Sequence, residues 1–406
     1  MKVLYISYDG AAEPIPQSQV LTYLKEINKK GVAFYWLSFE KRDSPLRSAE
    51  KRKAFREELL KSNIRWFSLP YHKRPYLLAK IFDILSGILY SSYLVIRCKI
   101  NIVHGRGEVS SFMCLILKKC LFKLKFIYDR RGYMAEDYVE GGMWKGRGSP
   151  FYRLLKFIDK SLLSSSDAVV VLTERIKKIL IGENDKIADK ISTIPCCVDL
   201  KKFRYNSSKN IKLLTDLKLQ DKFVFIYLGS LGTWYLLNEM VDFFILAKRQ
   251  IPNAHFLILS MSEHSVVRDV FFRKSQTEED FTLLKSPPGL VQNYISLADA
   301  ALIFIKPVFS KLSSSPTKFA ECLSCGLPVV INSNIGDCDE LIRPNRIGVI
   351  VDKFDNHGYQ KALEKLKGLM DEGQILRQRC RKVAEDFYPL SLGAEKYWRL
   401  YRKITS

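Results

Sequence analysis

The chain has 406 residues, 47% of them hydrophobic, which is enough material for two globular domains of ordinary size. The composition shows no low-complexity run and no internal repeat, which excludes fibrous and solenoid proteins. The 65 Lys and Arg outnumber the 43 Asp and Glu, and the formal net charge of +22 favours an anionic partner.

The first half of the chain alternates short apolar strands with helical segments, which is typical of a parallel sheet covered by helices on both faces. A helix from about Gln17 to Lys30 follows the first strand and a polar loop. An amphipathic helix is predicted from Leu77 to Arg97. Seven strands are predicted in this half, at 2–8, 32–39, 64–69, 101–105, 122–129, 167–173 and 191–195.

The second half repeats this pattern after a polar turn at 206–210 and ends in a helical tail. Six strands are predicted there, at 222–230, 254–260, 281–286, 299–305, 327–332 and 347–352. We therefore predict an α/β protein with two tandem, Rossmann-like, doubly wound parallel-sheet domains that face each other across a cleft. The expected domains are 1–204 and 205–385, with a final helix at 386–406 that packs back on the first domain.

Residues 313–330, SSSPTKFAECLSCGLPVV, lie between two predicted strands. Ser315 suits the N-cap of a short helix, and Pro316 suits its first position. Such a helix begins at the carboxyl edge of the sheet, where backbone N–H groups and the helix dipole attract phosphate. Lys318 and Glu321, one turn apart, would then meet a phosphate and the hydroxyl groups of a ribose. The alternative is a surface ion pair at i,i+3 spacing.

The SPTKFAE and CGLPVV motifs resemble the donor-binding segment of GT-B glycosyltransferases, specifically those of family 4. The resemblance covers nearly the whole chain. YISYDGAAEPIPQSQVLTYLKEINKKG is similar to the family's first strand, acceptor-side loop and first helix, and NIVHGRGEVSSF and KFIYDRRGYM are similar to its next strand ends. ISTIPCCVDLKKF resembles the linker between the domains, and FIYLGSLGTWYLLNEMVDFF resembles the first strand, loop and helix of the nucleotide domain.

This resemblance implies transfer of a sugar from a nucleotide donor to a hydroxyl acceptor, usually with retention and without a metal. It implies that Glu321 binds the ribose and Lys318 the diphosphate. The other donor-binding residues that it implies are Gly229, Ser230, Gly232, Thr233, Ser315 and Thr317. We expect no cofactor, because the nucleoside-diphosphate sugar is a co-substrate. Cys322 and Cys325 lack a second ligand pair for zinc, which favours a packing role.

The chain departs from the family pattern at two places. Ser313 stands where the family has a carboxylate that often touches the donor sugar, so the identity of the sugar and the stereochemistry stay open. The arginine and lysine that follow the loop glycine in the family are absent after Gly229. We expect Lys318, or Lys306 and Lys311, to supply the missing charge.

Polar residues near predicted strand ends in the first domain are candidates for the acceptor side. The candidate catalytic residues are Asp129, Arg131 and Glu136, which would orient the acceptor or the departing phosphate; a solvated loop is the alternative. The candidate acceptor contacts are Gln17, Ser18, His104 and Arg106. For His104 a satisfied position near the core is also open.

Residues 41–125 hold 19 Lys and Arg against six Asp and Glu. With the helix 77–97, this segment predicts docking on an anionic membrane, where the acceptor would be lipid-linked. A lysine-rich solubilising surface is the alternative. The uncharged core between Asp83 and Arg97 has 13 residues, which is short for a bilayer span, and the N-terminus does not have the pattern of a signal peptide. We expect a cytoplasmic protein, peripheral on the inner face of the cell membrane, that acts in polysaccharide or glycolipid synthesis.

Two other functions stay open at this point. A nucleotide-sugar epimerase or hydrolase on the same fold would release an epimer or a free sugar instead of transferring the sugar to an acceptor. A basic nucleic-acid-binding protein is suggested by charge alone. Since the basic segment contains no recognised DNA- or RNA-binding motif, no nucleic acid is expected as a partner.

Overall fold

The computed structural model describes residues 1–121, 123–206, 208–285 and 289–406. These residues form two compact units, one of Met1–Pro195 with Leu390–Ser406 and the other of Cys196–Pro389. Three residues of predicted elements lie outside the described residues: Phe122 of the strand 122–129, Ser207 of the turn 206–210 and Ser286 of the strand 281–286.

The first unit is built on a seven-stranded sheet in which all neighbours are parallel. Its strands are β1 (Lys2–Ser7), β2 (Ala33–Glu40), β3 (Ile64–Pro70), β4 (Ile102–Arg106), β5 (Lys125–Asp129), β6 (Ala168–Val171) and β7 (Ile191–Thr193). The spatial order is β3-β2-β1-β4-β5-β6-β7, so the direction of winding reverses between β1 and β4. Continuous apolar runs such as Ala168–Val171 form these strands because both faces of the sheet are covered.

Helices connect the strands of the first unit. They are α1 (Pro14–Pro16), α2 (Thr22–Asn28), α3 (Ala49–Lys61), α4 (Tyr76–Cys98), α5 (Gly107–Cys120), α6 (Met134–Glu140), α7 (Pro150–Ser165) and α8 (Glu174–Glu183). A π-helical turn, Gln17–Leu21, joins α1 to α2, so the predicted helix Gln17–Lys30 is wrong at its start. A 3-10 helix, Asp185–Lys190, leads into β7.

The second unit has a six-stranded sheet that is also parallel throughout. Its strands are β8 (Phe223–Leu228), β9 (Ala254–Leu259), β10 (Phe281–Leu284), β11 (Ala300–Ile303), β12 (Val329–Asn332) and β13 (Gly348–Val351). The order β10-β9-β8-β11-β12-β13 places its reversal between β8 and β11. Every predicted strand is therefore present, and the prediction of two doubly wound parallel sheets is confirmed. Ligands of such sheets bind beside the carboxyl ends of the strands at this reversal.

The helices of the second unit are α9 (Ile211–Asp216), α10 (Leu237–Gln250), α11 (His264–Arg273), α12 (Val291–Ile295), α13 (Thr317–Ser324), α14 (Cys338–Asn345), α15 (Asn356–Met370) and α16 (Gln374–Phe387). A 3-10 helix, Phe309–Ser313, lies between β11 and α13. The last helix, α17 (Leu390–Thr405), belongs to the first unit and packs on α2. Lys30 and Glu395 form an ion pair of 2.6 Å beside this contact.

Candidate functional site

The loop after β8 lies at the carboxyl edge of the second sheet, beside the winding reversal. It is fastened to the chain that leaves β11: the Lys306 amide donates to the Trp234 carbonyl at 2.9 Å, and the Leu236 amide donates to the Phe304 carbonyl at 3.0 Å. Tyr235 pairs with Ile305 between these two bonds. The geometry brings the glycine loop and the segment before α13 together, as the sequence predicts for a phosphate site.

Lys318 reaches this loop from the first turn of α13. Its ammonium group donates to the Tyr227 hydroxyl at 3.1 Å and lies 4.3 Å from the centre of that ring. It also lies 3.6 Å from the centre of the Tyr235 ring. Only 8% of Lys318 is exposed, and two aromatic faces are among the groups that enclose its ammonium.

Gly229 forms the turn directly over this ammonium group. It has a φ of +118°, which a residue with a Cβ adopts at a cost, and a Cβ added there would lie 2.8 Å from the Lys318 Nζ. Its amide donates to the Leu259 carbonyl at 2.9 Å, so this N–H is already used. The remaining predicted loop residues, Ser230, Gly232 and Thr233, are exposed.

Burial moves the pKa values of Lys318 and Glu321, both on α13, toward each other. Burial lowers the pKa of Lys318 to about 7, against the attraction of Glu321, which raises it. Burial likewise raises the pKa of Glu321 to about 7, against the opposing influence of Lys318 and Lys202. Displaced pKa values of this kind cluster at functional sites, because catalysis and ligand binding use groups whose protonation is set by burial and neighbouring charges.

The predicted N-cap of α13 is wrong. The helix begins at Thr317 with Pro316 as its N-cap, and no side chain caps it. The Ser315 hydroxyl instead accepts a hydrogen bond from the Cys196 amide at 3.0 Å, because the segment after β7 passes beside this turn. Thr317, the first helical residue, is half-buried at the same edge.

Ser313 and Lys311 lie on the 3-10 helix that precedes α13. The Ser313 hydroxyl donates to the Ser310 carbonyl at 2.5 Å and is 5% exposed. The Lys311 ammonium lies 3.5 Å from the centre of the Trp234 ring, so this second lysine also contacts the loop after β8. Lys306 contributes its backbone to the same loop.

In the first unit, Asp129 and His104 lie inside a closed polar cluster. Tyr397 of α17 donates to Asp129 at 3.1 Å, Tyr401 contacts the His104 Nδ1 at 2.7 Å, and His104 Nε2 lies 3.5 Å from the Asp129 carboxylate. Burial lowers the pKa of His104, which favours the neutral ring. Burial alone would raise the pKa of Asp129, but Arg131, His104 and Arg106 hold it well below its usual range. His104 and Asp129 are each 1% exposed, so the structure places both away from solvent.

The structure does not bring the three candidate catalytic residues together. Arg131 lies 3.4 Å from Asp129 and is half-buried. Glu136 belongs to a different cluster on α6 and α7, where it accepts from Lys156 at 2.8 Å and from Tyr152 at 3.1 Å.

The candidate acceptor contacts of the first unit lie near the carboxyl end of β1. Arg106 forms an ion pair of 3.1 Å with Asp9. Gln17 donates to the Ala11 carbonyl at 2.6 Å, and Ser18 donates to the Pro14 carbonyl at 2.9 Å. Arg106, Gln17 and Ser18 are each half-buried, so part of each residue faces solvent.

Several residues of these clusters belong to no recognisable sequence motif and were not identified from the sequence. In the sequence, Tyr227 and Tyr235 look like ordinary aromatic residues of a strand and a loop. Tyr397 and Tyr401 look like core residues of a helix. The Arg130–Asp159 pair, with contacts of 2.9 and 3.0 Å, is also missing from the predicted site. An i,i+4 spacing of two tyrosines on the last helix was the one available signal, and it does not identify their distant partners.

An apolar surface covers another side of the first unit; we call it the α4–α7 surface. Its exposed side chains are Leu77, Leu78, Ile81, Phe82, Leu85, Leu89, Tyr93 and Ile96 of α4 and Phe151, Leu154 and Phe157 of α7. Tyr138 of α6 and Trp144 of the following loop link α4 to α7: the Tyr76 and Tyr138 hydroxyls are 3.4 Å apart, and the ring centres of Tyr138–Trp144 and Trp144–Phe151 are 4.7 and 6.2 Å apart.

Helix α4 is long and apolar enough to cross a membrane by length and composition, a test that core helices of soluble proteins also pass. The prediction counted only the 13 uncharged residues between Asp83 and Arg97, whereas the helix extends from Tyr76 to Cys98. Asp83 itself is fully buried. Asp83 accepts from the Tyr8 hydroxyl at 2.8 Å and contacts His72 at 2.6 Å. The Asp83 carboxylate therefore lies on the buried side of α4, away from the exposed apolar side chains. Within the described ranges, no cluster of His, Cys, Asp or Glu could hold a metal ion.

Comparisons with known proteins agree with this architecture. Residues 17–202 match the model of a family described as Glycosyltransferase Family 4. An uncharacterized glycosyltransferase of Methanocaldococcus jannaschii is 24% identical over 305 residues, 70% of each chain. Sucrose-phosphate synthase from Thermosynechococcus elongatus has a TM-score of 0.73 at 14% identity, with 100% of this chain and 99% of that chain covered. Anabaena HepE in complex with UDP-glucose has a TM-score of 0.68 at 11% identity, with 100% and 99% covered.

Proposed function

We propose that the chain is a glycosyltransferase that transfers a sugar from a nucleoside-diphosphate donor to a hydroxyl acceptor. Its GT-B fold, the match of residues 17–202 to the family 4 model and its likeness to a relative named as a glycosyltransferase support this. One observation carries the proposal: the buried Lys318 ammonium lies under the Gly229 turn at the winding reversal of the second sheet. A diphosphate bound at this turn would pair with Lys318. Glu321, one helical turn further, would accept from the ribose hydroxyls.

The chemistry of transfer fits this arrangement. As the bond from the sugar to the diphosphate breaks, positive charge develops on the sugar ring and negative charge on the departing phosphate. A cation held in place beforehand stabilises that state, and removal of one such contact costs about 2.7–4 kcal/mol in other enzymes. In a retaining, front-face reaction the departing phosphate itself takes the proton of the acceptor. We propose this course, with no metal or cofactor taking part.

The acceptor is proposed to be lipid-linked, in polysaccharide or glycolipid synthesis. The α4–α7 surface supports this, since it exposes large apolar side chains next to Lys73, Arg74 and Arg97, which are also exposed. Such a combination suits a helix that lies in the interface of an anionic membrane. We propose that the protein works there as a peripheral protein of the cytoplasmic face.

A panel of nucleotide sugars tests the donor. UDP-glucose is the first choice, because Anabaena HepE binds it; the GDP-, ADP- and TDP-sugars complete the panel. A true donor raises the melting temperature by linkage, in proportion to ln(1 + [L]/Kd). That donor, incubated with membrane lipid extract, should yield a glycosylated lipid. Release of free sugar or of an epimer alone would instead indicate the hydrolase or epimerase.

A further inference from the structure

The Lys318 ammonium is stabilised in an unusual way. A buried ammonium group is costly unless an anion or several acceptors surround it. Across the described part of the chain, no carboxylate forms an ion pair with Lys318. Its one hydrogen bond goes to the Tyr227 hydroxyl, and the ring faces of Tyr227 and Tyr235 lie 4.3 and 3.6 Å from the nitrogen. The rings therefore supply much of what a carboxylate supplies elsewhere.

The Tyr227 hydroxyl connects this lysine to the glycine loop. It accepts from Lys318 at 3.1 Å and donates to the Ser230 carbonyl at 2.5 Å. Ser230 is the residue after Gly229, so the position of the ammonium group and the shape of the turn depend on the same hydroxyl. A shift of the loop would move the lysine with it.

Tyr235 closes the other side of the ammonium group. Its backbone is fixed by pairing with Ile305, and its ring centre is 5.8 Å from that of Tyr227. The Lys318 nitrogen is thus held between two rings whose positions the sheet determines. The remaining direction leads to the Gly229 turn, where a Cβ would lie 2.8 Å from the nitrogen.

We propose that Tyr227 and Tyr235 are positioning residues of the donor site, which hold the Lys318 ammonium against the Gly229 turn where a diphosphate binds. This inference rests on the proposed function. It explains how a loop that carries Trp234 and Tyr235, and no basic residue, can still present a cation to phosphate. The cation comes from α13, and the loop provides the aromatic faces that orient it.

A double-mutant cycle tests whether Tyr235 acts through Lys318. Isothermal titration with UDP, or with the nucleoside diphosphate preferred in the panel, measures Kd for wild type, Tyr235→Leu, Lys318→Met and the double variant. We expect Tyr235→Leu to weaken binding roughly tenfold, the size of a desolvated cation–π contact, and to have no further effect in the Lys318→Met background. Tyr235→Phe keeps the ring and should restore binding.

Trp234→Leu is the matched control, because the Trp234 ring faces Lys311 and not Lys318. Its effect should add to that of Lys318→Met. An additive cycle for Tyr235, or a Tyr235→Phe variant as weak as Tyr235→Leu, would overturn the inference while leaving the proposed function intact. Absence of diphosphate binding by the wild type would instead reject the proposed function. Circular dichroism of each variant identifies a loss of folding, and Tyr227→Phe then provides a second, smaller perturbation of the same lysine.

Discussion

At the scale of single residues, the ionisation of Lys318 decides how the site responds to an anion. Burial lowers its pKa to about 7, so the amine is partly neutral near neutral pH in the free protein. The titratable groups that face it are Glu321 and Cys322 on its own helix, Tyr227 on β8 and Tyr235 in the loop. A bound diphosphate favours the charged amine and therefore raises its pKa.

Diphosphate binding is accordingly expected to take up a proton at pH 8. Above about pH 7 the free amine loses its proton and the bound amine keeps it, so affinity falls by up to about tenfold per pH unit. Glu321, whose pKa is also raised to about 7, is about nine-tenths ionised at pH 8 in the free protein, and a bound anion raises its pKa further, so it contributes a smaller uptake of its own. Titration calorimetry in two buffers with different ionisation enthalpies measures the uptake. Lys318→Met is the control and should show a clearly smaller uptake; equal uptake by both proteins would reject the assignment.

The residues of the proposed donor site differ in how well the sequence predicts their contacts. The spacing of Lys318 and Glu321 on a short helix next to a strand is enough to predict that they lie on one face, because the helix and strand patterns are local features of the sequence. The hydrogen bond of the Ser315 side chain cannot be predicted from such a local pattern, because its partner Cys196 lies 119 residues earlier. The aromatic rings around Lys318 could not be predicted from the sequence either, because Tyr227 is 91 residues away and fits the pattern of an ordinary buried strand.

At the scale of secondary structure, α17 organises the polar cluster at the ends of β4 and β5. Tyr397 and Tyr401 lie one turn apart and reach Asp129 and His104. The first partner is an ionised carboxylate and the second a neutral ring, so the two hydroxyls contribute differently. Local pattern predicts the helix but not these contacts, which span 268 and 297 residues of sequence.

Tyr397→Phe is expected to destabilise the first unit by about 1.5–3 kcal/mol, because it removes a donor from a buried carboxylate. Tyr401→Phe should cost less, about 0.5–1.5 kcal/mol, because its partner is neutral. Urea denaturation followed by circular dichroism gives the comparison. Equal losses, or a larger loss for Tyr401→Phe, would show that Asp129 does not depend on the Tyr397 hydroxyl for its charge.

At the scale of the whole molecule, repetition of the strand-helix pattern was enough to predict both sheets. All of the predicted strands exist because continuous apolar runs between turn residues are typical of buried parallel strands. The ends of the units were harder to predict. The boundary expected between residues 204 and 205 lies between Pro195 and Cys196, because Cys196 contacts Ser315, 119 residues later. The final helix expected at 386–406 is α17, which begins at Leu390 and belongs to the first unit.

The α4–α7 surface is expected to bind anionic membranes. Replacing Leu85 and Leu89 together by Ser removes two exposed apolar side chains of α4 and should lower partitioning to vesicles at least roughly tenfold. Sedimentation with phosphatidylglycerol vesicles measures this, with phosphatidylcholine vesicles as the neutral reference. Ile211→Ser in the second unit, also an exposed apolar residue, is the matched control. Equal binding by the double variant, or no preference for anionic lipid, would contradict the proposal.

The central claim is that the second unit binds a nucleoside-diphosphate sugar through Lys318. The most direct test compares the melting temperatures of wild type, Lys318→Met and Lys361→Met against the nucleotide-sugar panel; Lys361 is an exposed lysine of α15. We predict that at least one donor stabilises the wild type and Lys361→Met equally and stabilises Lys318→Met much less. Stabilisation of all three proteins to the same extent, or of none by any donor, would contradict the claim.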